Sequence, residues 1–201
     1  MSPLWIVLAV FVFFGIILIF WAIAIYNRLV ALKNRFENSF SQIEVQLKRR
    51  HDLIPNLLET VKGYMGHEKS TFKEVVEARN QAVSGLQAAT ANPGDPAAIQ
   101  QLAASESALG SALGRLFALS EDYPELKASK NMQDLQKELQ KTEDKVAFTR
   151  QAFNNAVTSY NTYKQTFPPV LFASTFGHAR DACLLDFDDD EINEVPEVSF
   201  A

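Results

Sequence analysis

One cysteine, Cys183, rules out an internal disulfide, and it is compatible with a reducing compartment. Glycine and proline are scarce, at 8 each in 201 residues, which argues against an all-β or a disordered chain. The most informative absence is of charge: Leu4 to Ile25 is 22 residues without one ionisable side chain. No helix breaker follows that run until Pro55. Bases are missing from the other end. Residues 178–201 carry eight acids against one base, Arg180, a net −7 that leaves the remaining 177 residues at +2. The formal charge of −5 is therefore a property of the end of the chain, and the rest is nearly balanced. A body so balanced, with no evident base-stacking platform, is not expected to bind nucleic acid.

At about 1.5 Å per residue, 22 helical residues reach about 33 Å, enough for a hydrocarbon core of about 30 Å. Trp5 lies near one end of the run, and Trp21 and Tyr26 lie near the other, where amphipathic rings favour the headgroup level. Ala22-Ile23-Ala24 resembles a signal-peptide cleavage site. Against cleavage, no Lys or Arg precedes the run, and it exceeds the usual apolar stretch of about 7–15 residues. The reading is an anchor. Arg28, Lys33, Arg35, Lys48, Arg49 and Arg50 all follow it, so the positive-inside rule predicts a cytoplasmic body and an outside N-terminus.

Beyond the run, Leu29, Leu32, Phe36, Phe40, Ile43 and Leu47 fall in steps of three and four, one face of a helix. This predicts a single helix from Leu4 to Ile54, a kink at Pro55 and about two further turns before Gly63 and Gly66. A second helix is predicted from Ser70 to Ala91, with Thr71 and Glu74 at capping-box spacing. Asn92-Pro93-Gly94-Asp95-Pro96 is the clearest loop, with Asp95 as N-cap and Pro96 at the first helical position of a third helix. That helix ends before Tyr123-Pro124. A fourth runs from Ser129 to just before Pro168-Pro169. The predicted fold is all-α, an N-terminal transmembrane helix continuous with an elongated antiparallel helical bundle. The expected divisions are residues 1–3, a transmembrane helix at 4–26, the bundle domain at 27–177 and a disordered acidic tail at 178–201.

No constellation points to chemistry. His51-Asp52 and His67-Glu68 are the body's His-acid pairs, sixteen residues apart, and read as polar surface; a metal needs three or four convergent ligands. No nucleophile elbow occurs, and Gly110 and Gly114 lack the Gly-Lys-Ser/Thr of a phosphate loop, so they read as sites of close helix approach. The expectation is a non-enzyme without catalytic, cofactor-binding or metal residues and without a small-molecule substrate. Two surface features stand out instead. Lys48, Arg49, Arg50 and His51 form a basic cluster able to meet an acidic partner or anionic lipid, or simply to face solvent. Phe172 and Phe176 lie in a short apolar stretch, Val170 to Phe176, suited to assembly contact, to packing on the bundle or to the bilayer.

Several segments resemble the LemA family. Asn27-Arg28-Leu29 through Arg35, Gln42-Ile43-Glu44 through Arg50, and Asp52-Leu53-Ile54-Pro55-Asn56-Leu57 carry the resemblance, followed by Val61-Lys62-Gly63-Tyr64 and His67-Glu68. Further on, Glu121-Asp122-Tyr123-Pro124 through Ala128, Glu138-Leu139, Arg150-Gln151-Ala152-Phe153-Asn154, Tyr160-Asn161 and Phe167-Pro168 agree. The resemblance covers residues 4 to 177 and treats the acidic extension after Gly177 as a departure. It implies a bacterial single-pass inner-membrane protein with a helical bundle and no established catalytic residues. Relatives associated with magnetosome membranes, and genes beside a membrane protease, suggest membrane organisation or stress biology. Together these readings predict a scaffold that self-assembles, or an adaptor that recruits a membrane or cytoplasmic protein.

Overall fold

The computed structural model describes residues 3–187, and all of its regular structure is helical. Helix α1 (Pro3–Lys62) is 60 residues long, about 90 Å at helical rise. It joins the charge-free run to the body with no break, because the apolar period of the body begins where the run ends. Pro55 lies inside α1, which continues beyond it to Lys62. Side chains from Val7 to Ile23 are largely exposed, with Phe11 at 74% and Phe20 at 69%, so this stretch finds no cover among the described residues. It is the one helix among the described residues long and apolar enough to cross a membrane.

Helix α2 (Lys69–Ala91) and α3 (Pro96–Ser120) form a hairpin, and α5 (Lys130–Gln165) runs back along α1. Asp95 caps α3 as expected, its Oδ1 accepting from the amide of Ala98 at 3.0 Å, with Pro96 opening the helix. The expected capping box at Thr71 does not form. Helix α2 starts two residues earlier, at Lys69, which leaves Thr71 inside the first turn. A short helix α4 (Pro124–Ala128) was not anticipated; one turn is too short to show a period.

The core is in two parts. The first, nearer the span, gathers Ile25, Leu29, Leu32, Phe36, Phe40, Ile43 and Leu47 of α1 against Val146, Phe153, Val157 and Tyr160 of α5. The rings fix the register: Phe40 lies 5.6 Å from Phe153, and Phe36 5.2 Å from Tyr160. The second, distal part gathers Ile54, Leu57, Val61 and Met65 with Val75, Ala82, Leu109, Leu116 and Leu139. Close helix approach falls at Gly85 rather than at Gly114, which has open space before it. A Cβ at Gly85 would stand 3.3 Å from Leu102 Cα and 2.6 Å from Ser105 Oγ, so α2 meets α3 backbone to backbone there.

A disordered tail from residue 178 onward is corrected for its first ten residues. His178, Ala182 and Leu185 are buried against α5, and residues 188–201 lie outside the described residues. Gly177, at φ +82°, makes the reversal that sends the chain back, with the His178 amide donating to Ala173 O at 2.8 Å.

Candidate functional site

Apolar periods in a bundle are interrupted only where a polar side chain has a partner, because an unpaired buried charge is expensive. On α1, position 43 is followed by 47, then 50 and 51, then 54. Leu47 and Ile54 are fully buried, and Arg50 and His51 stand between them on the same face, 5% and 2% exposed. On α3, Glu106 interrupts Leu102 and Leu109 in the same way and is 2% exposed. These three meet. His51 Nε2 lies 2.7 Å from Glu106 Oε1, and Arg50 Nη1 lies 3.5 Å from Oε2 of the same carboxylate. Arg50 also reaches across to α5, its Nη2 3.1 Å from Glu143 Oε2. Arg79 of α2 donates from Nε to the carbonyl of His51 at 2.8 Å. Gly110 of α3 lies beside the guanidinium, where a Cβ would make ordinary contact at 3.7 Å. Four helices thus contribute to one charged belt, placed between the two halves of the core.

The belt overturns the reading of Lys48–His51 as one surface cluster. Helical rotation divides it: Lys48 and Arg49 are exposed, and Arg49 pairs with Glu138 at 3.1 Å, whereas Arg50 and His51 face inward. His51 is likewise not the surface histidine expected. Glu106 belongs to no motif, and its signal in the sequence is a carboxylate at a core period.

Phe172 and Phe176 are also placed differently from an exposed assembly patch. They are half-buried, stack on each other at 5.9 Å, and Phe176 meets Tyr26 edge-on at 5.4 Å. The bundle itself occupies them.

The third polar feature is a strap along α5. Asn161 donates from Nδ2 to Ala182 O at 2.8 Å and accepts from the Ala182 amide at 3.0 Å. Asn154 repeats the pair on Leu185, with both distances 2.9 Å. Seven helical residues advance about 10.5 Å and three extended residues about 10 Å, so the two amides match the two carbonyl–amide pairs in register. Arg150 completes the ladder, its guanidinium 4.8 Å from the Phe187 ring. At the other end Tyr160 Oη lies 2.9 Å from His178 Nδ1. Burial, then Asp181 and Glu37, push the Tyr160 phenol up. Burial, followed by Lys33 and Lys164, holds the His178 imidazole below its ordinary 6.5. Burial and Asp95 push the Cys183 thiol up, which makes it a poor nucleophile.

The His178 shift carries a sign. A folded-state value below the unfolded one means that the unfolded strap binds the proton more readily. The strap is fully held above 6.5 and loosens as pH falls below it toward the depressed value. Hydrogen exchange of residues 178–187, corrected for intrinsic exchange rates, is expected to show protection falling below pH 6.5. The same step should vanish in His178→Gln. Protection that stays constant in the parent chain would contradict it.

Among the described residues no group of three or more His, Cys, Asp or Glu is placed to hold a metal ion. The fold and these features define a class: an all-helical chain with one helix able to span a membrane, a body divided by a charged belt and a strapped C-terminal segment. The family model for the LemA family matches residues 39–200, and the chain belongs to that family. The match extends through the acidic stretch, so the segment after Gly177 is no departure from the family. Magnetosome protein MamQ of Magnetospirillum gryphiswaldense is 26% identical over 170 residues, 77% of this chain and 62% of that protein. Magnetosome protein MamQ 2 of Paramagnetospirillum magneticum is 25% identical with the same coverages. Protein LemA of Metamycoplasma hominis is 27% identical over 141 residues, covering 70% of this chain and 60% of its own. The chain therefore spans about 60% of the length of these relatives.

Proposed function

We propose that the protein is a non-enzymatic, membrane-anchored scaffold that works by assembling with copies of itself at a bacterial inner membrane, its N-terminus outside and its body cytoplasmic. The observation that carries this reading is the continuity of α1, which couples the apolar span to both halves of the core through one uninterrupted helix. Such a rod holds the body at a set distance from the membrane and transmits orientation without a hinge. Two exposed apolar side chains support self-association: Phe148 at 72% and Val45 at 59%. The α1–α5 register places both at one level of the bundle, well away from the span. Kinship with magnetosome proteins favours a role in organising a membrane-bound structure.

Native mass measurement of the complex, extracted gently from its own membrane, tests the proposal. A homo-oligomer is expected, and Phe148→Asp should shift it toward monomer. Monomer alone at every concentration would overturn the scaffold reading. The adaptor reading draws on Lys48 and Arg49, which remain at the surface. It predicts a different protein in the complex, lost when Lys48→Glu and Arg49→Glu reverse that surface charge.

A further inference from the structure

We propose that the turn Phe167–Leu171 is a second membrane contact, dipping into the same leaflet that the α1 span leaves. The proposal rests on the reading of Leu4–Ile25 as a membrane span, and the test below separates the two. Helix α5 approaches the span antiparallel to α1. Tyr160 sits opposite Phe36, and five more residues carry α5 about 7.5 Å further toward the membrane. The 3-10 turn Pro169–Leu171 lies beyond that end. Its level is set by the contacts that follow it. Phe176 meets Tyr26, the residue after the apolar run, edge-on at 5.4 Å, and Ala173 is buried in the span-side part of the core.

At this level the turn turns apolar side chains outward. Phe167 is 76% exposed, Leu171 62% and Val170 50%, while Pro169 and Ala173 hold the turn to the body. Three outward apolar side chains within one five-residue turn at the end of a bundle gain nothing from water. The charge around them points to the occupant. No acidic residue occurs from Met1 to Phe36 or from Lys145 to Arg180. The exposed bases at this end are Arg28, Lys33, Arg35 and Arg180; Lys164 is buried and paired with Asp181. An apolar tip in a neighbourhood rich in bases fits an anionic lipid surface, where amphipathic elements settle about 5–10 Å into the headgroup boundary. A second attachment beside the span would fix the tilt of the bundle, which a single helix leaves free to rotate.

The full chain carrying Cys183→Ser, with one new cysteine bearing an environment-sensitive fluorophore, is reconstituted into vesicles of phosphatidylethanolamine and phosphatidylglycerol. Lipid-borne nitroxides at shallow and at deep acyl positions serve as quenchers. The probe at Leu171→Cys is expected to lose more emission to the shallow quencher, and that at Val12→Cys more to the deep one. A probe at Lys137→Cys, on the distal body, should lose none. Phe167→Cys should repeat the Leu171 pattern, which guards against distortion by one label. If Val12 is quenched and Leu171 behaves like Lys137, the inference fails while the anchor stands. A Leu171 probe untouched by lipid quenchers but sensitive to protein density would assign the turn to a second copy and also overturn it. If Val12 itself escapes quenching, the anchor falls and the inference with it.

Discussion

Glu106→Leu is expected to destabilise the body by about 3–5 kcal/mol, because it strips the carboxylate from a buried belt and leaves Arg50 and His51 in place. Their side chains are 6% and 3% exposed, so water cannot take over the lost contacts without opening the bundle. Glu143 still faces Arg50, but it is 56% exposed and reaches only the Nη2 side of the guanidinium. Nothing replaces Glu106 opposite His51 Nε2. The companion variant Arg50→Met with His51→Leu and Glu106→Leu should recover most of the loss, since an apolar belt of similar volume has no desolvation penalty. Denaturant unfolding of the detergent-solubilised chain, followed by far-ultraviolet circular dichroism, measures both. A loss below about 1 kcal/mol in the single variant would show that the belt is not the closed network described.

The second large effect is expected at Phe153. The ring is fully buried between Phe36 and Phe40, at 6.3 Å and 5.6 Å with steep interplanar angles of 76° and 67°. Phe153→Ala removes the wedge that sets α5 against α1 and should cost about 3–5 kcal/mol, of which the edge-on pairs supply about 0.5–1.5 kcal/mol each. Its signature differs from that of Glu106→Leu. Hydrogen exchange should rise in α5 and along the strap, while the distal core around Leu57 and Leu116 keeps its protection. Uniform loss of protection in both halves would mean that the two parts of the core open together.

Much of this architecture was legible in the residues. The charge-free run and the stepped apolar positions from Leu29 to Leu47 predict α1 because both are local and share one period. Asn92 to Pro96 and Tyr123-Pro124 mark chain reversals through proline chemistry that needs no tertiary partner. The belt was half legible. Leu47, Arg50/His51 and Ile54 keep the core step, as do Leu102, Glu106 and Leu109, yet Arg50 and His51 read as a surface cluster when α1 is considered alone, and Glu106 carries no motif of its own. Only the pairing of α1 with α3 and α5 makes them one network. Asn154 and Asn161 stood out as family residues with no visible task, because their partners lie 31 and 21 residues away in the strap. Such matching depends on the reversal at Gly177, which no period announces.

The strap also decides where the strongly acidic end of the chain sets out. It runs back along α5 from the level of Tyr160 to that of Arg150, and so away from the span. By the α1–α5 register Phe187 is reached near the level of Ile43, some 17 residues, or about 25 Å, past Tyr26. That offset exceeds the Debye length of about 8 Å at physiological ionic strength by a factor of about three. Asp186, the last described acid of the strap, is therefore screened from the end of the apolar run, and the strap carries the chain away from Arg28, Lys33 and Arg35 rather than toward them.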